Sequence, residues 1–127
     1  MKVGVIGCGF FAQNHLHAWR DIDGVDVVAL CDNDQSNLFA TGKEFKIERK
    51  FTNAIDLFDY GEFDIVDIAT TAPSHRSLVE MAAQNTKHII CQKPFAESIT
   101  DARAMVSAVE ATGKTLMVHE NFRWQSA

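Results

Sequence analysis

The sequence predicts an α/β domain in which helices cover both faces of a parallel sheet. Short apolar runs alternate with helical segments along the whole chain. The first run, Val3 to Ile6, leads directly into Gly7-x-Gly9-x-x-Ala12 and then into a helical pattern. Because parallel neighbours need long crossover connections, this alternation favours a doubly wound sheet of about six strands within one domain, residues 1–127.

The elements follow one another in a regular order. The second helix is predicted to begin at a capping Asp34, the third to stop at Gly61, and the fifth to begin at the capping-box-like Ser98-x-x-Asp101 and to end near Gly113. The predicted strands are 3–6, 25–30, 47–51, 63–69, 88–91 and 116–118, and the predicted helices are 10–21, 34–45, 54–58, 74–85 and one from 98 to about 112.

The glycine-rich loop after the first strand predicts a dinucleotide site of the Rossmann type. Gly7 permits a tight turn, Gly9 lets the backbone approach a pyrophosphate, and Ala12 lets the helix pack closely on the strand. The helix N-terminus, which includes Phe10 and Phe11, offers unpaired N–H groups and a positive dipole end to the phosphates.

An acid at the end of the second strand indicates which dinucleotide is bound. Asp32 follows the apolar run Val25 to Leu30, where a carboxylate can accept hydrogen bonds from both ribose hydroxyls. The same carboxylate would repel a 2′-phosphate, and no Arg or Lys occurs between Asp32 and Lys43. The sequence therefore favours NAD over NADP.

Composition excludes several other classes of function. The net charge of −5 argues against nucleic acids and anionic membranes as partners. The sequence predicts neither a transmembrane helix nor a signal peptide, because it has no long apolar span and Met1-Lys2 leads directly into the first strand. Cys8, Cys31 and Cys91 form no C-x-x-C pair, which is typical of reduced thiols in a cytoplasmic protein.

Candidate reactive groups follow the fourth, fifth and sixth strands. In open α/β sheets, ligands lie beyond the carboxyl ends of the strands. That rule selects three segments, Thr70 to His75, Gln92-Lys93-Pro94, and His119 to Trp124.

Four segments together resemble the cofactor domain of the glucose–fructose oxidoreductase/inositol dehydrogenase (Gfo/Idh/MocA) family. They are Val-Ile-Gly-Cys-Gly-Phe-Phe-Ala-Gln-Asn-His15, Ile-Ala-Thr70 with His75 five residues on, Cys91-Gln-Lys-Pro-Phe95 and Glu120-Asn-Phe-Arg-Trp124. The resemblance implies an NAD-dependent oxidoreductase that acts by hydride transfer on a sugar, polyol or related hydroxyl compound. It also implies that Thr70, His75, Lys93, Asn121 and Arg123 contribute to the cofactor cleft.

The Lys-Pro segment is the most diagnostic part of the resemblance, which places Lys93 where substrate meets nicotinamide. The positive charge of oxidised nicotinamide disfavours a neighbouring ammonium, which suits Lys93 to exchange a proton with a substrate hydroxyl as the catalytic residue. Gln92 replaces the usual Glu, which removes a counter-charge, and Thr71 stands where a Pro is common. The alternative is a solvent-exposed Lys93 before a Pro that turns the chain.

The histidines have alternative interpretations. His75 is predicted either to lie near the ribose or nicotinamide, or to cap or pack its helix. His15 and His17 are expected to be packing or surface residues, and His119 a neutral structural one. A site formed by Cys91, His75 and His119 lacks metal-ligand spacing, so no metal is predicted.

Family members continue into a second, mostly antiparallel domain that forms the substrate pocket and supplies an Asp/His acid–base pair. We therefore expect residues 1–127 to be the cofactor half, with little activity in isolation, and homo-oligomer formation is left open. The alternative is a stand-alone, non-catalytic NAD-binding or redox-sensing module. An S-adenosylmethionine-dependent methyltransferase is disfavoured by the Lys-Pro segment.

Overall fold

Six parallel strands and five α-helices alternate along the chain in a computed structural model, which describes residues 1–120. The strands are β1 Lys2–Ile6, β2 Asp26–Cys31, β3 Arg49–Phe51, β4 Ile65–Ile68, β5 His88–Gln92 and β6 Leu116–His119. The helices are α1 Phe10–Arg20, α2 Gln35–Phe45, α3 Ala54–Tyr60, α4 His75–Gln84 and α5 Ile99–Glu110, with a 3-10 turn at Ala72–Ser74. The predicted fold class is confirmed.

The strand order β3-β2-β1-β4-β5-β6 makes the sheet doubly wound. β1 is central and pairs in parallel with β2 on one side and β4 on the other. The chain moves outward from β1 to β3, returns to β4 beside β1, and then moves outward again to β6. The carboxyl ends of β1 and β4 therefore border the switch point at which such sheets bind ligands.

Buried side chains fill both faces of the sheet, as expected when helices cover both faces. Residues that alternate along β4 show the division: Val66 and Ile68 join one core cluster, while Ile65 packs against the other. The first cluster also contains Met105 and Val109 of α5. The second contains side chains of α1 and α2, which include Leu16 and Leu38.

The predicted helix boundaries depend on local hydrogen bonds that the structure confirms. Asp34 Oδ1 accepts the N–H of Asn37 at 3.1 Å, and Ser98 Oγ accepts the N–H of Asp101 at 3.1 Å. Gly61 ends α3 with φ of +61°. These caps fix where α2, α3 and α5 begin or end.

β3 begins two residues later than predicted, because the backbone before it forms the C-terminal cap of α2. Lys46 adopts a left-handed conformation with φ of +57°, and the N–H of Ile47 donates to Gly42 O at 2.9 Å. Ile47 is still buried, so its apolar side chain serves the core without belonging to a strand.

No helix within residues 1–120 combines the length and apolar character that crossing a bilayer requires.

Two valines of α5 allow a test of the packing between this helix and the sheet. Val109 is 2% exposed and belongs to the core, whereas Val106 is 39% exposed. We expect Val109→Ala to lower the free energy of unfolding by about 2 kcal/mol, because it removes buried methyl groups and leaves a cavity. Urea denaturation followed by circular dichroism measures the change.

Val106→Ala is the matched control, since it makes the same chemical change on the same helix. It should alter the unfolding free energy by less than about 0.5 kcal/mol. Equal losses in the two variants would contradict the assignment of Val109 to the core face.

Candidate cofactor site

The loop after β1 passes so close to β4 that only glycine fits at its first position. Gly7 has φ of +102°, and a Cβ built on it would lie 2.9 Å from the carbonyl carbon and oxygen of Ala69. Its N–H donates to Cys31 O at 2.8 Å. Gly7 therefore lies between the ends of β2 and β4, as its predicted role in the tight turn requires.

Gly9 leaves the N-terminus of α1 accessible. It is the N-cap residue with φ of −82°, and no heavy atom of the described chain outside its two neighbours lies within 4 Å of a Cβ built there. In the described residues, no side chain caps this helix end and no acidic residue occupies its first turn. The first N–H groups of α1 are thus available to an anion.

The next three residues divide between the core and the surface. Ala12 is fully buried, which is consistent with the predicted close packing of α1 on the sheet. Phe10 and Phe11 are 83% and 52% exposed, and their rings meet edge to face with centroids 5.7 Å apart. The first turn of α1 therefore presents an aromatic pair beside the open N–H groups.

Asp32 lies at the end of β2 and faces the glycine-rich loop. Its Oδ2 accepts the N–H of Cys8 at 2.7 Å, and its Oδ1 accepts the N–H of Asp34 at 2.8 Å. Because a carboxylate offers about four acceptor positions, these two bonds orient Asp32 and leave capacity for further donors.

A cleft of about 430 Å³ opens between the ends of β1, β2, β3 and β4. This volume lies within the usual range for small-molecule and cofactor sites. Three predicted residues, Gly7, Asp32 and Thr70, lie together on its wall. The remaining lining residues are Ile6, Cys31, Asn33, Thr52, Asn53, Ala54, Thr71, Ser74, Ser77 and Leu78.

Sequence reasoning missed the wall formed by Thr52 and Asn53. The signal was present, because both residues directly follow the third strand and strand ends meet at one edge of the sheet. Thr70 was selected by that rule, and its Oγ1 lies 2.6 Å from Ser74 Oγ. Hydroxyl and amide groups thus line this end of the cleft.

His75 lies behind the cleft wall. Its side chain is 0% exposed, with Nδ1 3.1 Å from Phe95 O and Nε2 2.9 Å from Thr70 O. The geometry favours the packing alternative, in which His75 connects the loop after β4 with the loop after β5. A direct contact with the cofactor stays a prediction.

Lys93 lies at the opposite end of the glycine-rich loop from Asp32. It follows β5 directly, its peptide bond to Pro94 is cis, and its Nζ lies 5.6 Å from the centroid of the Phe11 ring. The structure therefore brings Lys93 to the first turn of α1.

A buried polar cluster lies under α1 beside the end of β5. We define the imidazole cluster as His15, Asp67, Gln92 and His119, which are linked by hydrogen-bond distances of 2.7 to 3.0 Å. His15 was predicted to be either a packing or a surface residue; it is 8% exposed and therefore a packing residue. Asp67 was overlooked, although an acid inside the apolar run Ile65 to Ile68 was a usable signal.

All three cysteines are buried and free. Burial, together with a smaller contribution from Asp32 at Cys8 and Cys31 and from Asp67 at Cys91, raises the pKa of each thiol to about 12. Thiols with such pKa values are poor nucleophiles at neutral pH.

Within residues 1–120, no group of three or more His, Cys, Asp or Glu side chains is arranged to hold a metal ion. Asn121 and Arg123, both predicted to contribute to the cofactor cleft, lie outside the described residues.

The sheet order, the glycine-rich loop and the acid at the end of β2 define a dinucleotide-binding Rossmann domain. Residues 1–120 match the Gfo/Idh/MocA oxidoreductase family, which is described by its NAD-binding Rossmann fold. The chain belongs to this family. The resemblance predicted from the sequence is confirmed, and the cofactor that the family description gives is NAD.

Individual relatives agree with this assignment. A D-apiose dehydrogenase from Paraburkholderia graminis is 62% identical over 99% of this chain and 34% of its own length. An inositol 2-dehydrogenase from Salmonella typhimurium is 27% identical over 92% of this chain and 35% of its own length. The crystal structure of an oxidoreductase from Agrobacterium radiobacter in complex with NAD+, L-tartaric acid and magnesium superimposes with a TM-score of 0.97. That protein is 55% identical, and the match covers 98% of this chain and 36% of that one.

The chain spans about a third of the length of these relatives.

The two glycines of the loop should respond differently to the same substitution. We expect Gly7→Ala to lower the free energy of unfolding by at least ~2 kcal/mol, because alanine is strained at this φ and its Cβ overlaps the backbone of Ala69. Thermal or urea unfolding of the purified variant measures the loss.

Gly9→Ala is the control, because the same methyl group enters open space at an allowed φ. Restricting the unfolded chain offsets the weaker capping by alanine, so stability should change by less than about 0.5 kcal/mol. A stable Gly7→Ala protein would show that the loop does not make this close approach.

Proposed function

We propose that this chain is the NAD-binding half of an oxidoreductase that acts by hydride transfer on a sugar, polyol or related hydroxyl compound. The observation that carries the proposal is the placement of Gly7, Asp32 and Thr70 around one cleft beside the open N-terminus of α1. The names of the relatives, D-apiose dehydrogenase and inositol 2-dehydrogenase, support the substrate class. They support this function over a stand-alone redox-sensing module.

The residues present fit a dinucleotide. The first N–H groups of α1 would hold the pyrophosphate, and the missing Cβ of Gly9 would let it approach the backbone. Asp32 would accept the ribose hydroxyls with its remaining lone pairs, while its negative charge would repel a 2′-phosphate. This arrangement supports NAD over NADP.

Lys93 is the proposed catalytic residue. A bound nicotinamide supplies the two-electron acceptor for the substrate carbon. The amine of Lys93, located beside the first turn of α1, would exchange a proton with the substrate hydroxyl. Phe11 would form an apolar wall next to this amine and limit the access of water.

In our proposal the complete activity requires groups beyond this chain, so we expect little turnover from residues 1–127 alone.

The buried protonated thiols support a cytoplasmic location. We further propose that the protein can form a homo-oligomer and that, given its net charge of −5, it has neither nucleic-acid nor membrane partners.

Calorimetric titration with NADH and NADPH tests the cofactor assignment. We expect the chain to bind NADH more tightly than NADPH, and Asp32→Ala to weaken NADH binding at least about tenfold, because about 1.4 kcal/mol of hydrogen bonding to the ribose is lost. The preference for NADH over NADPH should shrink in the same variant.

Asp32 also orients the loop, so a second variant separates ligand contact from loop disorder. Gly9→Ala, whose fold should be intact, places a methyl group where the pyrophosphate is expected and should also weaken NADH binding about tenfold. Full NADH affinity in a folded Gly9→Ala protein would contradict the proposed phosphate position. Tighter binding of NADPH by the unmodified chain would contradict the role of Asp32.

A chimera tests the role of Lys93 in turnover. This chain would be joined to the C-terminal two thirds of the Paraburkholderia graminis relative and assayed with D-apiose and NAD. We expect Lys93→Met to lower kcat at least about 100-fold, because general acid–base catalysis contributes that much or more.

Lys43→Met is the matched control, since it removes the same charged group from the exposed surface of α2. It should leave kcat unchanged. Unchanged turnover in Lys93→Met would rule out proton exchange by this amine.

A further inference from the structure

The imidazole cluster lies on the α1 side of the sheet and joins four elements. His15 belongs to α1, Asp67 to β4, Gln92 to β5 and His119 to β6. Gln92 and His119 are the last residues of their strands, which brings the cluster to the edge where the cofactor site is built. The chemistry proposed for Lys93 and Asp32 uses none of these side chains.

The buried carboxylate of Asp67 needs hydrogen-bond donors, and a positively charged donor would compensate its charge. Asp67 is 1% exposed, and leaving such a carboxylate uncompensated would be strongly destabilising. Two side chains of the described residues lie within hydrogen-bond distance of its oxygens, Trp19 through Nε1 at 2.7 Å and His15 through Nδ1 at 2.9 Å. Because the indole is always neutral, His15 is the one of these two side chains that can carry a compensating positive charge.

The second nitrogen of His15 has its own acceptor. Nε2 lies 3.0 Å from Gln92 Oε1, so both ring nitrogens face oxygen atoms. A ring that donates to both must be doubly protonated. His119 Nδ1 lies 2.7 Å from the same amide oxygen, and the two imidazole rings meet edge to face at 4.5 Å.

The surroundings shift the pKa values of the two histidines in opposite directions. Burial alone lowers the pKa of His15, but the hydrogen bonds and charge of Asp67, together with Gln92, raise it above 6.5. Burial and the charge of His15 lower the pKa of His119, against weaker attraction by Asp67 and Glu120. The His15–Asp67 pairing therefore stabilises the fold fully below about pH 6.5, and this contribution is lost as pH rises through the higher folded pKa.

Helix α1 contacts the end of β5 at two points. His15 contacts Gln92, and Phe11, one helical turn earlier on the same side, lies 5.6 Å from the Nζ of Lys93. Gln92 and Lys93 are adjacent, so fixing one backbone position fixes the other. The same helix presents its N-terminus to the proposed pyrophosphate site.

We propose that His15 is a positioning residue: as an imidazolium clamped between Asp67 and Gln92, it holds the end of β5, and with it Lys93, against the cofactor helix. The inference rests on the proposed function of Lys93. It also explains Gln92, because an amide oxygen accepts both histidine donors without adding a second buried negative charge. A Glu at this position would draw a proton onto His119.

Nitrogen-15 NMR of the histidine rings in the 127-residue chain tests the charge directly. At pH 7.5 we expect both nitrogens of His15 to give imidazolium signals, while His119 gives the signals of a neutral ring. Asp67→Asn should abolish the imidazolium signals of His15 at this pH. A neutral His15 in the unmodified chain would overturn the proposal without any variant having to fold.

The link to Lys93 is tested by the nuclear Overhauser effect between its ε-methylene protons and the ring protons of Phe11. Gln92→Met has a similar shape but replaces the amide oxygen with a thioether that accepts hydrogen bonds only weakly, and we expect it to lose this signal. Gln92→Glu restores an acceptor, so it should keep the signal and convert His119 to an imidazolium at pH 7.5. His17→Gln, which alters an exposed histidine of the same helix, should change neither readout.

Retention of the Lys93–Phe11 signal in a folded Gln92→Met protein would overturn the positioning role. NADH titration of the unmodified chain keeps the two proposals apart. Failure to bind NADH would contradict the proposed function, whereas the NMR results would still determine the protonation state of His15.

Discussion

The close approach between the loop after β1 and the end of β4 is the constraint on which the rest of the site depends. Gly7 donates to the end of β2 and lies against the carbonyl group that follows β4. This contact lets α1 begin at the carboxyl end of β1, next to the switch point of the sheet. The cleft, the exposed N–H groups of α1 and the carboxylate of Asp32 all take their positions from it.

A second constraint operates on the other side of the same helix. The sheet buries a carboxylate at Asp67, and α1 supplies the histidine and the indole that satisfy it. In our proposal one helix therefore carries both the expected phosphate site and the support for β5, which Lys93 directly follows. This shared support gives a physical reason why cofactor position and lysine position would vary together.

The fold was predictable because local signals agreed with one another. Apolar runs, the caps at Asp34 and Ser98, and the left-handed Gly61 each set a boundary through interactions within a few residues. β3 was predicted two residues too long. The side chain of Ile47 is buried in the core, but its backbone N–H donates to Gly42 O at the end of α2 and not to a neighbouring strand. Periodicity detects burial, and it does not distinguish a strand from a buried helix end.

The sequence by itself determined the doubly wound fold class, the glycine-rich loop, the acid at the end of β2 and the family, because each depends on residue types at fixed spacing. Only the tertiary structure decided which distant side chains meet. The contact of His15 with Asp67 spans 52 positions, and that with Gln92 spans 77. Likewise, burial of His75 behind the wall depends on the loop after β5. Such contacts follow from how α1 and the strands pack in space, which no local spacing records.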